Sequence, residues 1–120
     1  MGPENRKISD KEMRSNCIRY LIDHAYSSDN YFEFVSAIAL LIPKRLREQL
    51  KQLVYGPVWD GDIISKSYRG ELFDLNLAVR VCVNGEQGFT GAPYIAYSIV
   101  NRWKETESAP EVEQPEPREQ

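Results

Sequence analysis

Few residues in this 120-residue chain are equipped for covalent chemistry. There is one histidine, His24, and the two cysteines, Cys17 and Cys82, stand 65 positions apart with no C-x-x-C spacing. Neither cysteine lies in a motif that pairs a thiol with a base, so nucleophilic catalysis has no visible constellation. The same spacing argues against a zinc site, and without a secretory signal both thiols are expected to be reduced and half-buried. Asp60-Gly61-Asp62 with Glu71 could offer oxygens to a cation, but D-G-D lacks the remaining ligands and the spacing of an EF-hand loop. Turn formation explains those aspartates more simply. Neither G-x-x-x-x-G-K-S/T nor G-x-G-x-x-G occurs, so no phosphate-cradling loop is encoded. The expectation is a protein that is not an enzyme and needs neither cofactor nor metal.

The residues suited to non-covalent chemistry are basic and polar. Lys44, Arg45, Arg47 and Lys51 crowd one segment, and Ser65, Lys66, Ser67 and Arg69 crowd another. Arg80, Asn84 and Gln87 follow in a stretch of alternating valines. Trp59, beside Asp60-Gly61, is the one aromatic expected to be exposed and sticky, whereas Phe32, Phe34, Phe73 and Trp103 are expected in the core.

The elements that must position these residues can be read from periodicity. Ser9 and Glu12 form an S-x-x-E capping box, and Met13, Cys17, Tyr20 and Leu21 then recur at helical spacing to about His24. After Ser27-Ser28-Asp29-Asn30, with Asn30 a second cap, the run Tyr31–Ile42 is nearly all apolar and predicts the central, most buried helix. Pro43 ends it and can begin the next, KRLREQLKQLV, whose Leu46, Leu50, Leu53 and Val54 share a face. Gly56-Pro57 stops that helix.

Ile63, Ile64, Tyr68, Leu72, Phe73 and Leu75 predict a fourth helix, with Asn76 at the left-handed position that closes it and Leu77 packing behind. Gly70 weakens this helix unless close packing requires it. The period then changes to two: Val79, Val81 and Val83 mark a strand, and Asn84-Gly85 a two-residue hairpin turn into a return strand to about Thr90. Ile95, Ile99 and Trp103, spaced by four, predict a last helix from Pro93, with a strand over Tyr94–Val100 as the alternative. The fold class expected is therefore α+β, mainly helical.

Charge divides the chain more sharply than the net −3 suggests. Residues 105–120 read ETESAPEVEQPEPREQ, with six Glu, one Arg and three Pro, and predict a disordered acidic tail. Residues 1–104, one globular domain, then carry 12 acids against 14 bases, about +2. No apolar run approaches the ~18–20 residues that cross a bilayer, and the first thirteen positions are too polar for a secretory leader. No membrane association and a cytoplasmic location are expected.

The order helix, helix, helix, turn, helix, strand, Asn-Gly turn, strand, helix resembles the winged helix-turn-helix domain. The match spans about residues 44–103. Its most specific part is Glu71-Leu72-Phe73-Asp74-Leu75-Asn76-Leu77-Ala78-Val79-Arg80, which is similar to the E-L-x-x-x-G-L-(I/V/A)-x-R seam of such domains, with Asn76 in place of Gly. Gly88-Phe89-Thr90 through Tyr97 is similar to the wing's return strand and closing helix. The resemblance implies that the helix ending at Leu75 is a recognition helix and Val79–Thr90 a wing. It implies double-stranded DNA as a partner, with Ser65, Lys66, Ser67 and Arg69 facing the major groove, Arg80, Asn84 and Gln87 on the wing, and Lys44, Arg45, Arg47 and Lys51 along phosphates. An accessory transcriptional regulator of bacterial, phage or mobile-element type is the function expected.

Winged helices also serve as protein-binding modules, so a protein partner docked through Trp59 and the acidic tail is the alternative. A third reading has the tail covering the basic face. Residues 9–42 either complete the domain or form a dimerisation extension, and the apolar second helix favours a homodimer through the N-terminal helices.

Overall fold

The computed structural model describes residues 8–108, in the order α1 (Asp10–Ala25), α2 (Tyr31–Leu41), α3 (Arg47–Tyr55), β1 (Val58–Trp59), α4 (Lys66–Asp74), β2 (Val79–Val83), β3 (Glu86–Gly91) and α5 (Tyr94–Ser108). Single 3-10 turns precede α3, at Lys44–Leu46, and α4, at Asp60–Asp62. The class is α+β: among the described residues there are five helices and a small antiparallel sheet of order β1-β3-β2. Among the described residues no helix is long and apolar enough to cross a membrane.

Helix α1 begins where its cap predicts: the Glu12 amide donates to Ser9 Oγ at 3.0 Å. The face it buries differs from the expected one. Ile18, Ile22 and Ala25 are in the core, while Met13 and Tyr20 are more than half exposed and Cys17 is exposed. Cys82 is exposed too, so neither thiol is half-buried as expected. Asn30 precedes α2 without a side-chain cap; its carbonyl instead accepts from the Glu33 and Phe34 amides.

Helix α2 is apolar on nearly all sides but buries only one stripe, Val35, Ile38 and Ala39. Phe32 is 75% exposed and Leu40 83% exposed, which corrects the expectations that Phe32 is core and α2 the most buried helix. That place belongs to α5, whose Ile95, Ala96, Ile99, Val100 and Trp103 are all buried. Helix α5 packs against both α2 and α3 and so covers the centre of the molecule. Its first turn is held from outside by the Tyr26 hydroxyl, which accepts from the Ile95 amide at 2.9 Å.

Pro43 explains a further tie. It puts Ile42 in extended backbone and supplies no amide to α2, so the Ala39 carbonyl lacks the partner a helix would give it. The buried Trp103 Nε1 donates to that carbonyl at 3.0 Å.

The fourth helix is shorter than its apolar pattern predicts: Ile63 and Ile64 lie before it, and Ser65 is its cap, accepting from the Tyr68 amide at 3.2 Å. Its end matches the prediction. Asn76 has φ +64°, the Asn76 amide donates to Phe73 O at 3.0 Å and the Leu77 amide to Leu72 O at 2.8 Å, with Leu77 fully buried. The Arg19 guanidinium donates to the Asp74 carbonyl at 2.9 Å, joining α1 to this carbonyl-rich end.

The hairpin closes through Asn84 (φ +53°) and Gly85 (φ +82°), with Val83 paired to Glu86. Strand β1 was not foreseen; Val58 pairs with Thr90 and Trp59 with Phe89. Helix α5 runs through Ser108, past the boundary at Lys104 that composition suggests, and residues 109–120 of the acidic segment lie outside the described residues.

Candidate functional site

Helix α4 and the hairpin meet at one carboxylate. Asp60, at the end of β1, accepts from both terminal nitrogens of Arg80 on β2, at 3.1 and 2.7 Å. Arg69 of α4 brings Nη1 to 3.0 Å from Asp60 Oδ1, close enough for an ion pair but without hydrogen-bond alignment. The buried Thr90 hydroxyl accepts from Arg80 at 2.9 Å and donates to Asp60 at 3.3 Å. Two cations thus share one anion, and every polar atom of Thr90's side chain is paired. The Arg80 hydrogen bonds hold the Asp60 carboxyl below its ordinary pKa, with the charges of Arg80 and Arg69 acting in the same direction and desolvation opposing them. The same contact raises Arg80.

Trp59 is 54% exposed beside this cluster and lies over Gly61, where a Cβ would come within 2.0 Å of the indole. Only glycine leaves room for the ring at that point.

The approach to α4 is fixed by two glutamines of α3. Gln49, 1% exposed, accepts the Ser65 amide at 2.9 Å and donates to Gln52 at 2.7 Å. Gln52 in turn donates to the Asp62 carbonyl at 3.1 Å and accepts from the Ile64 amide at 3.4 Å. These bonds set the segment 62–65 against α3, so the first turn of α4 leaves α3 at a defined angle. Lys66, Ser67, Gly70 and Asp74 make up its exposed face, and Ser67 Oγ lies 3.3 Å from Ser65 Oγ.

The sequence-predicted cations divide into two groups. Arg45 pairs with Glu71, Arg47 with Glu107 at 3.9 Å, Lys51 with Glu107 at 3.4 Å and with Glu48 at 3.7 Å, and Arg69 and Arg80 with Asp60. Arg47 also lies over the Trp103 ring, 4.8 Å from its centroid. Lys44 and Lys66 are exposed and make no ion pair among the described residues. On the hairpin, Asn84 and Gln87 are exposed at the turn and on the return strand.

Sequence reasoning found Arg69, Arg80 and Trp59 but missed Asp60 as their hub and Gln49 and Gln52 as the brace. No local pattern carries those signals: Asp60 meets partners nine and twenty positions away, and Gln49 one sixteen away. Among the described residues no group of three or more His, Cys, Asp or Glu is placed to hold a metal ion. No known protein family, curated protein or solved structure matches the chain.

Proposed function

We propose that this chain is a small, non-catalytic, winged-helix-like protein that binds duplex DNA as an accessory transcriptional regulator, with α4 as the reading helix and β2–β3 as the wing. The observation that carries the reading is the first turn of α4. The Gln49–Gln52 brace fixes it, Ser65 caps it, and it presents Lys66 and Ser67 to solvent without an acidic partner among the described residues. A helix N-terminus with a free lysine and a hydroxyl suits a phosphate or a base edge. The succession helix, turn, helix, hairpin, helix supports the same reading.

The cations already paired to Asp60, Glu71 and Glu107 contribute less. Exposed ion pairs are worth only about 0–1 kcal/mol, so a phosphate can replace the carboxylate, but each replacement leaves an anion beside the DNA. Binding is therefore modest and rests on few phosphates. A salt titration against generic duplex DNA tests it: measurable binding at ~50 mM salt that falls steeply as salt rises is expected, and its absence there would falsify the proposal.

A second reading, a protein-docking module, is favoured by a different observation. Five of the seven expected cations are paired within the chain, while Trp59 and Ile64, flanking the turn at Asp60–Asp62, are 54% and 62% exposed. In that case Lys66→Glu with Arg69→Glu leaves function intact, whereas Trp59→Ala or removal of residues 105–120 abolishes it.

A further inference from the structure

A cleft opens between the first half of α1 and the closing end of α4, with the turn before α3 at its side. Its floor is apolar and belongs to the core: Ile18, Leu46 and Leu75 are all buried. Its volume is about 180 Å³, below the ~300–1,000 Å³ of pockets that take drug-sized ligands, so it suits a small metabolite. The two walls differ in sign. Helix α1 contributes Lys11 and Arg14, both exposed and in no ion pair among the described residues, while Asp10 and Glu12 of the same helix do not line the cleft. Helix α4 contributes Glu71 and Asp74 at its C-terminal end, where unpaired carbonyls add negative charge. Glu71 is taken by Arg45, which closes one side. Asp74 is not: Arg19 binds its backbone carbonyl, and its carboxylate is in no ion pair among the described residues.

We propose that this cleft binds a small zwitterion, an α-amino acid with an apolar side chain. Its carboxylate meets Lys11 and Arg14, its ammonium meets Asp74, and its side chain lies on Ile18, Leu46 and Leu75. The charges select this class against simpler ones. A plain anion would satisfy the α1 wall but face Asp74 and the α4 carbonyls, and a plain amine would satisfy Asp74 but face Lys11 and Arg14. Only a molecule carrying both signs meets an opposite charge on each wall, and the apolar floor between them favours one with a hydrocarbon body. The bound molecule also ties α1 to the end of α4, where the Arg19 bond to the Asp74 carbonyl already joins them.

The site stands apart from Lys66 and Ser67, so its success or failure does not bear on the DNA reading. Titration of the ¹⁵N-labelled full chain with L-leucine, L-valine and L-methionine, followed by amide chemical shifts, tests it. The expected result is a saturable shift confined to residues 11–18, 43–46 and 71–75, with a dissociation constant of about 1 mM or below for at least one of the three. For leucine, two fragments serve as controls: 4-methylpentanoate, which lacks the ammonium, and isoamylamine, which lacks the carboxylate, each bind about tenfold more weakly or worse. Arg14→Glu abolishes binding. Asp74→Asn lowers the affinity for leucine to that for 4-methylpentanoate and leaves the latter no weaker, a selective loss that a merely structural role of Asp74 would not produce. Both side chains are exposed, so circular dichroism of the variants stays that of the wild type. No saturable shift with any of the three amino acids up to ~20 mM overturns the proposal, as does saturation mapped to other residues. Binding of 4-methylpentanoate or isoamylamine as tightly as leucine overturns the assignment of a zwitterion.

Discussion

The indole of Trp103 donates its Nε1 hydrogen to the carbonyl of Ala39 at 3.0 Å, standing in for the amide that Pro43 cannot provide four residues further on. A residue on the last helix thereby completes the second helix at the point where proline cuts it short. The bond is buried, and Arg47 of α3 lies over the ring itself, so three helices converge on one side chain.

Replacing Trp103 with phenylalanine leaves the Ala39 carbonyl buried and unpaired, at a cost of about 1–3 kcal/mol in addition to the lost volume. Urea denaturation measures this. In a Pro43→Ala background the penalty shrinks, because residue 43 then has an amide to offer; a penalty of equal size in both backgrounds contradicts the substitution of one donor for the other.

Gln49→Leu keeps most of the buried volume but removes the acceptor for the Ser65 amide and the donor to Gln52. A destabilisation of about 1–3 kcal/mol is expected. Faster hydrogen exchange at the Ser65 and Ile64 amides identifies the brace as the cause, while unchanged exchange there assigns the loss to packing alone.

Asp60 gives the fold a predictable acid response. Its pKa is depressed in the folded state, so its contribution is complete above the unfolded-state pKa of about 3.9 and is lost as pH falls through the folded value. The melting temperature of the wild type therefore exceeds that of Asp60→Asn at neutral pH. The gap narrows once pH drops below the ordinary aspartate range. A gap that persists unchanged into strong acid contradicts the ion-pair account.

The same substitution acts in the opposite direction on DNA. Asp60→Asn removes an anion and releases Arg69 and Arg80 together, so duplex affinity at low salt rises, while Lys66→Glu lowers it and reduces the salt slope by about 1–2. Fluorescence anisotropy with a labelled duplex reads both. Equal affinity for all three proteins removes α4 and the Asp60 cluster from the interface.

Two glycines should respond with opposite signs. A Cβ at Gly70 meets nothing within 4 Å, so close packing does not demand glycine there, and Gly70→Ala stabilises by about 0.5–1 kcal/mol through helix propensity. Gly85 has φ +82° in the hairpin turn, and Gly85→Ala destabilises because an L side chain is strained there. Thermal melts separate the two.

Elements governed by local rules could be read from the sequence. Ser9 caps α1, Asn76 and Leu77 close α4, and Asn84-Gly85 turns the hairpin, each because a cap or a positive φ is decided within a few residues of chain. The α+β class follows from the change of period after Leu77. What the sequence could not decide is which apolar face each helix buries and which charges meet. Met13, Cys17 and Tyr20 have the same spacing as a core stripe, yet Ile18 and Ile22 took the core, and Phe32 went to the surface despite its composition. Nearly every face of α2 is apolar, so periodicity alone cannot choose between them; the choice is made by the packing of α1 and α5, which leaves Val35, Ile38 and Ala39 as the buried stripe. Likewise the basic residues are visible in the chain, but their capture by Asp60, Glu71 and Glu107 depends on contacts spanning nine to sixty residues. Coulomb attraction acts on distance in space, and only the folded packing sets that distance.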